Sequence, residues 1–476
     1  MRSTGARAAS KMPAVPDARD SIFCLPAGGV SLVYAPLHGL AAVMRNEAAE
    51  RLAAVLREND RLVSGPVGTI ATHLLDAAAA TPQAKSGSLS EPLFLGVVPT
   101  RGCNMACGYC DFAAPKSGGP TMDLYLARAA VEGYLVLLDR GGHRHGAVHF
   151  FGGEPFRAPN VVEFIVEFAA QRASELGIAL DFEASTNGFF SSARAEWVAD
   201  RFSTIVLSLD GPAHVQDRQR PALHARPTFS AVARTAKILS DGPAELIVRS
   251  CVTAASVDLL PEWATWISRK LRPSTVCFES LTGSASTAAA GFLPPDPYRF
   301  ARQFAQAALI LDKQGITTVQ STSDLRDCRI SACPVGQDAL IVSPDGAIDA
   351  CYLLEKEWRD QGLDLRLGLV HVATRSLEIE DEALERTRRL AARHKPLCAN
   401  CFCQYHCAGG CHVHHDTNRP AAAYDDMCVA TRLITADKVL RRLGLTAVAD
   451  LTLTDPVAAH SLARHADDRL IASEVP

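Results

Sequence analysis

The sequence has no surplus of basic charge: Lys and Arg total 48 against 52 Asp and Glu in 476 residues, a formal net charge of −4. Without a basic stripe, nothing is available to track a phosphate backbone, which argues against nucleic acid as the main partner. No apolar run approaches the ~18 residues of a membrane span, so no membrane association is expected. Met1–Ser21 carries three Arg and one Lys with no apolar core after them, which is not the pattern of a secretory signal. Long repeats and low-complexity tracts are missing as well. What is present is an ordinary 48% of hydrophobic residues, enough for a large core, in a length that suggests about three domains.

These absences place the chain in the cytoplasm, where thiols stay reduced. Its fifteen cysteines then stand out. An odd number in a long cytosolic chain does not read as a disulfide framework. They are also clustered, three at 103–110 and nine between 328 and 428, as metal-binding cysteines are.

Six apolar, β-branched runs recur through the middle: Leu93–Thr100, Ala147–Phe151, Ala179–Ala184, Thr204–Leu209, Glu245–Thr253 and Thr275–Ser280. Amphipathic stretches separate them, among them Met122–Leu138, Val161–Leu176, Ser230–Leu239 and Ser256–Leu271. Strands alternating with helices predict an α/β fold with a parallel sheet, and functional residues at the C-terminal ends of its strands. Ahead of this block, Ser31–Tyr34 and Ala41–Met44 read as short strands and Glu47–Arg57 as a helix, an N-terminal α+β module. The polar stretch Thr81–Glu91 reads as a linker. After the block, secondary-structure signals weaken from Asp324 to Met427, as in loop-rich metal domains, before a helix at Ala430–Leu443. The expected divisions are 1–88 for the module, 89–318 for the central α/β unit, 319–440 for the cysteine-rich unit and 441–476 for an uninformative tail.

Cys103, Cys107 and Cys110 follow the first strand as Cys-x3-Cys-x2-Cys. One tight loop can fold three thiolates around an iron–sulfur cube and leave a fourth iron without a protein ligand. Structural zinc wants four ligands, and no fourth Cys or His stands nearby at finger-like spacing. The loop Cys103-Asn104-Met105-Ala106-Cys107-Gly108-Tyr109-Cys110 resembles the signature of the radical S-adenosylmethionine (SAM) enzymes. The resemblance implies a partial (β/α)6 barrel, in agreement with the six strands counted above, and SAM chelating the open iron. It places Tyr109 beside the adenine. Gly152-Gly153-Glu154-Pro155, at the end of the second strand, resembles the motif that contacts the SAM amino group. Ser185 and Asn187, within Ser185-Thr186-Asn187-Gly188, resemble the ribose-contacting segment, and Ser208, Asp210 and Arg249 are further candidates for SAM contacts. Taken singly, each is also an ordinary turn or salt bridge; together they mark four consecutive strand ends.

The C-terminal cysteines form a second pattern: Cys333-x12-Gly346-x4-Cys351, then Cys398-x2-Cys401-x5-Cys407-x3-Cys411-x16-Cys428. This resembles the seven-cysteine SPASM domain, an extension of radical SAM enzymes that holds two auxiliary clusters. The resemblance implies one cluster on Cys333, Cys351 and Cys411, completed by Cys328 upstream, and another on Cys398, Cys401, Cys407 and Cys428. Three 4Fe–4S clusters are thus expected, with no open iron on the auxiliary pair. Alone, the 398–411 segment with His406, His412, His414 and His415 fits zinc equally well; the upstream loop favours iron–sulfur. Cys24, Cys251, Cys277 and Cys403 are left over, with Cys251 and Cys277 read as buried thiols and Cys403 as a competing ligand out of register.

The implied chemistry is reductive cleavage of SAM to a 5′-deoxyadenosyl radical that removes a hydrogen atom from an unactivated C–H bond. Auxiliary clusters would take up the electron left after a new bond forms, and the proton needs a base. Sulfatase-maturing relatives carry Asp directly after the second SPASM cysteine; here that residue is Tyr352, which weakens a sulfatase-maturation reading. Asp349 and Glu279 are the base candidates, each also explicable as a salt-bridge partner. The resemblance further implies a precursor-peptide substrate, joined by a thioether or carbon–carbon crosslink, and a flavodoxin or ferredoxin-type reductant. The N-terminal module would bind a leader by strand addition or simply pad the barrel. Alternatives are modification of a partner protein, as in formylglycine or quinone-cofactor formation, and a non-catalytic zinc-binding interaction protein.

Overall fold

The computed structural model describes residues 21–77, 79–80, 94–110, 112, 119–329, 331–333, 339–353, 355–360, 362–391, 396–411, 413 and 424–471. The expected linker Thr81–Glu91, the start of the first expected strand, and His412, His414 and His415 lie outside them.

The central unit alternates as read. Strands β4 (Phe94–Val97), β5 (His145–Phe150), β6 (Ala179–Thr186), β7 (Thr204–Ser208), β8 (Glu245–Val252) and β9 (Thr275–Ser280) run parallel in sequence order. Between them lie α3 (Leu124–Arg140), α4 (Pro159–Glu175), α5 (Ser192–Arg201), α6 (Ala213–Gln219), α7 (Phe229–Asp241) and α8 (Leu260–Lys270). Several helices start on side-chain caps: Asp123 accepts from the Tyr125 and Leu126 amides, and Ser191 from that of Arg194. Every second residue of the strands is buried against the helices, as in β5 and β8; the alternating set is only half-buried and lines the other face. Successive right-handed crossovers put the helices on one side, so this second face becomes the lumen of a partial barrel.

The sheet is larger than the six strands expected. β10 (Thr317–Val319) adds in parallel beside β9, and β11 (Ala339–Val342) beside β4. Antiparallel β12 (Ala347–Asp349), β13 (Arg366–His371) and β14 (Ser376–Ile379) then extend it to eleven strands, with β10 and β14 at the edges. Among the described residues no pairing closes the barrel. Apart from six-residue β13, these added strands are three or four residues long, too short to show a period in the sequence. One sheet therefore runs through the expected boundary at 318/319.

The N-terminal module is a meander, β1 (Phe23–Ala27), β2 (Val30–Ala35) and β3 (Leu40–Met44), followed by α1 (Asn46–Glu58) and α2 (Gly65–Asp76). The C-terminal residues expected to be uninformative are built in. After α9 (Ala285–Ala289), α10 (Pro297–Asp312), α11 (Glu355–Asp360), α12 (Asp381–Ala391) and α13 (Gln404–Cys407), helix α14 (Asp426–Arg442) carries α15 (Thr446–Thr454) and α16 (Pro456–Arg464) against it. Beyond them the Cys24 amide donates to the Asp468 carbonyl (2.6 Å) and the Leu470 amide to that of Ile22 (2.9 Å). The last described residues thus cover the β1 edge. On the other edge, β3 has no strand partner besides β2 among the described residues.

Candidate active site at the barrel mouth and the cysteine sets behind it

The cysteine loop leaves β4 and is pinned on two sides. On one, the Gly153 and Glu154 amides donate to the Thr100 and Gly102 carbonyls (3.1 and 3.0 Å). Gly152 has φ +139°, and a Cβ on Gly153 would stand 2.3 Å from the Gly102 oxygen. The two glycines are therefore required by the close approach of two backbones. On the other side, residues 219–223 run along the loop: the Ala106 amide donates to the Pro221 carbonyl (2.8 Å) and the Leu223 amide to that of Asn104 (3.3 Å).

Glu154 is 1% exposed, and its carboxylate accepts from Thr186 Oγ1 (2.8 Å) and the Asn187 (2.7 Å) and Phe156 (3.2 Å) amides. It ties the end of β5 to that of β6. Burial raises its pKa to about 7, against the lowering effect of those hydrogen bonds. An acid raised in the folded state is stabilising when protonated. The contribution is full below the ordinary 4.5 and lost as pH rises through 7, at a cost of about 3 kcal/mol. Glu154→Gln should therefore gain up to ~3 kcal/mol on the wild type between pH 4.5 and 7, read from denaturant midpoints at several pH values. An unchanged difference between the two proteins across that window would refute the assignment.

Asn187 donates to Asn104 Oδ1 (2.8 Å) and to Cys103 Sγ (3.6 Å), and the Met105 amide also reaches Cys103 Sγ (3.4 Å). Tyr109 donates to Asp210 and accepts from Arg220 (2.7 Å). Asp210 also accepts from Gln219 (2.9 Å) and the Cys251 amide (3.1 Å). Pro155 is buried in the short turn that follows Glu154. A cavity of ≈190 Å³ is lined by Gln219, Thr253, Ala254, Phe292 and Leu293, and Phe292 stands edge-on to Tyr109. Arg220 and Gln219, which end α6, were missed in the sequence; no spacing marks them, because they reach the loop only through the fold.

Ser185, Ser208 and Arg249 lie on the lumen face. Arg249 is walled in by protein while its own surface stays accessible, as a cavity-lining side chain should be. Burial works against its charge, but Glu279, Cys277 and Cys251 raise its pKa overall. Ser185 Oγ meets His149 (3.2 Å), whose other ring nitrogen faces Glu183 (3.2 Å). Cys251 and Cys277 are not core thiols as expected: both are half-buried on the lumen face, and Cys277 donates to Glu279 (3.1 Å).

The base candidates differ. Glu279 faces the lumen, holding the Ser321 amide at 3.0 Å as well as Cys277. Asp349 is 3% exposed and paired with Arg366 (2.8 Å), with Ser343 at 3.4 Å; Ser343 in turn accepts from Arg101 (2.8 Å). That network joins the start of the cysteine loop to β12. Tyr352, next to Cys351, reaches below β4: a Cβ on Gly96 would stand 2.6 Å from its hydroxyl.

Cys103, Cys107 and Cys110 lie within electrostatic reach of one another. So do Cys351, Cys333 and Cys411, and separately Cys407, Cys401 and Cys398. Burial, with repulsion from neighbouring sulfurs, pushes Cys107 and Cys351 up to about 12, in the former case against Arg220. Thiols gathered in this way need a cationic centre to become thiolates. Cys428 stands in the first turn of α14, its amide held by the Asp425 cap (2.9 Å). The Cys328 thiol donates to the Pro36 carbonyl of the N-terminal module (3.9 Å). Cys403 is buried beside Cys401. His406 is 2% exposed, with ring nitrogens to Tyr34 Oη (2.6 Å) and the Asp327 carbonyl (3.2 Å). Among the described residues no three His, Cys, Asp or Glu converge tightly enough to hold a single metal ion.

Residues 97–242, from the end of β4 through α7, match the radical SAM superfamily. This chain carries a radical SAM domain. No curated protein matches the chain. Among solved structures, it is similar to anSMEcpe with bound AdoMet, with a TM-score of 0.58 and 18% identity over 74% of this chain and 99% of that one. The same protein with AdoMet and the Cp18Cys peptide gives 0.57 and 18%, over 75% and 99%. Streptococcus suis SuiB bound to precursor peptide SuiA gives 0.48 and 14%, over 83% and 95%. At such identity the likeness to anSMEcpe concerns the fold, and it extends the comparison well beyond the matched radical SAM domain. No helix among the described residues is long and apolar enough to cross a membrane.

Proposed function

We propose that this protein is a radical SAM maturase with a SPASM-type auxiliary domain, acting on a ribosomally made peptide to form a thioether or carbon–carbon crosslink. The observation that carries the reading is that Cys333, Cys351 and Cys411, distant in sequence, come together in one set, apart from the local set of Cys398, Cys401 and Cys407. We assign Cys103, Cys107 and Cys110 to the SAM-binding 4Fe–4S cluster. Cys328, Cys333, Cys351 and Cys411 would hold one auxiliary cluster, and Cys398, Cys401, Cys407 and Cys428 the other. When bound, the first cluster supplies the electron that cleaves SAM to a 5′-deoxyadenosyl radical.

The residues of the chain divide into those that hold the loop and those that face the ligand. Gly152, Gly153, Glu154, Pro155, Asn187 and Asp210 fix the cysteine loop and Tyr109 by the bonds described. Ser185, Ser208 and Arg249 present polar atoms to the lumen, where Arg249 suits the SAM carboxylate. The cavity beside Tyr109 is assigned to the adenine. Glu279 is preferred to Asp349 as proton acceptor, because it faces the lumen and Asp349 is sealed against Arg366. Glu279→Gln should keep 5′-deoxyadenosine formation while lowering crosslinked product roughly a hundredfold. Equal loss of both would assign Glu279 to SAM binding instead.

A peptide substrate is supported by the open β3 edge, where an extended leader can add a strand, and by the peptide bound to the similarly folded anSMEcpe. The divisions 1–88, 89–318, 319–440 and 441–476 are retained as functional units, a flavodoxin or ferredoxin as the reductant, and the cytoplasm as the compartment. The test is anaerobic incubation with SAM, dithionite and the short peptides encoded beside the gene. A 2 Da loss in one of them supports the crosslink; 5′-deoxyadenosine with every peptide mass unchanged excludes it.

A further inference from the structure

Arg432 lies in α14, one helical turn after Cys428, and both it and Asp468 are fully buried. A buried guanidinium needs a partner for its charge and acceptors for its five N–H groups. Asp468 supplies the charge partner, taking both terminal nitrogens, with Nη2 to Oδ1 at 2.9 Å. Nη2 also donates to the Leu462 (2.9 Å) and His465 (3.2 Å) carbonyls. Phe402 and Tyr424 cover the guanidinium, at 5.0 and 4.3 Å from the ring centroids. Two features are left that a purely structural clasp does not use. Nη1 donates to Cys401 Sγ at 3.3 Å, and Nε is buried with no acceptor among the described residues.

We propose that Arg432 is a positioning and tuning residue for the auxiliary cluster on Cys398, Cys401, Cys407 and Cys428, holding its reduction potential up so that it can accept the electron left on the substrate. The inference rests on the cluster assignment made above. Its physical basis is that reduction adds negative charge to the cluster, and a dry hydrogen bond from a cation to a ligating sulfur stabilises that charge more than the oxidised form. Asp468 opposes the effect in part, since its carboxylate cancels some of the positive field. It also keeps the guanidinium aimed at Cys401, and its own placement holds the C-terminal segment against the Phe402 amide (3.0 Å).

The opposite signs of the two charges make the test specific. Reconstituted full-length protein is titrated anaerobically and the auxiliary signals are followed by electron paramagnetic resonance, in a Cys103→Ala background that removes the first cluster. The double variant Arg432→Met/Asp468→Asn should lower the midpoint by about tenfold in the one-electron equilibrium, or about 59 mV. Asp468→Asn alone should raise it, and Arg432→Lys should stay near the parent value. Midpoints shifted by less than twofold in that equilibrium, about 18 mV, in both the double variant and Asp468→Asn, with iron retained, overturn the inference and leave Arg432 as a clasp. Should the double variant lose its iron, Asp468→Asn decides alone, and a midpoint at or below that of the parent overturns the proposal. A wild type holding only about four irons removes the auxiliary clusters, and the inference falls with that reading.

Discussion

Cys103→Ala is expected to reduce SAM cleavage to the uncatalysed background and to lower the iron content from about twelve to about eight per chain. Its thiol is the buried member of the loop, 8% exposed, and it receives the Met105 amide and the Asn187 amide side chain. Those donors suit a ligated sulfur, and alanine cannot replace a ligand. With two thiols left, the loop cannot hold a cube that keeps one iron open. Cys403→Ala should leave cleavage intact, because that thiol is buried beside Cys401, away from the SAM loop. Measuring 5′-deoxyadenosine after dithionite reduction, with iron by colorimetry, checks both. Retained cleavage in Cys103→Ala would overturn the assignment of Cys103 to the first cluster, and a colourless wild type containing only zinc would favour the non-catalytic alternative.

Gly153→Ala should be nearly as damaging without touching a ligand. The new Cβ would stand 2.3 Å from the Gly102 oxygen and 2.5 Å from that of Arg101. Both obstacles are backbone atoms of the cysteine loop, so no rotamer change relieves them. Separating the chains would break the Gly153–Thr100 and Glu154–Gly102 hydrogen bonds and displace the loop. The expected cost is on the order of 3–5 kcal/mol, with loss of the first cluster. Gly96→Ala is a useful contrast. Its Cβ would meet the Tyr352 hydroxyl at 2.6 Å and Ile341 Cγ1 at 2.8 Å, side-chain atoms and not backbone of the cysteine loop. It should cost less stability and leave the first cluster in place. Thermal melts and iron content of the two variants should separate; similar losses in both would show that loop contact is not what Gly153 protects.

Much of the molecule was legible because it is local. The strand–helix alternation of residues 145–280 has a period, and each strand buries one face and offers the other to the lumen. The cysteine spacing, the Gly-Gly pair and the strand-end polar residues announce a site within a few residues of each other. Strands β10 and β11 were not legible, being three and four residues long. Neither were the roles of the polar strand-end residues. Glu154 and Asp210 read as ligand contacts, and the structure adds protein partners to each, Thr186 and Asn187 for the first and Gln219 and Tyr109 for the second.

The sequence by itself determined the α/β class, the order of its parts and the residue types able to hold clusters, since these depend on periodicity and spacing along the chain. The cysteine grouping was already implied by the resemblance of the spacing; only the tertiary structure decided which charges stand beside the cysteines. Arg432 approaches Cys401 from thirty-one residues away, held by a carboxylate in the C-terminal segment. Such a contact has no signature in spacing, because burial of α14 and its flanking helices, not local propensity, brings it about.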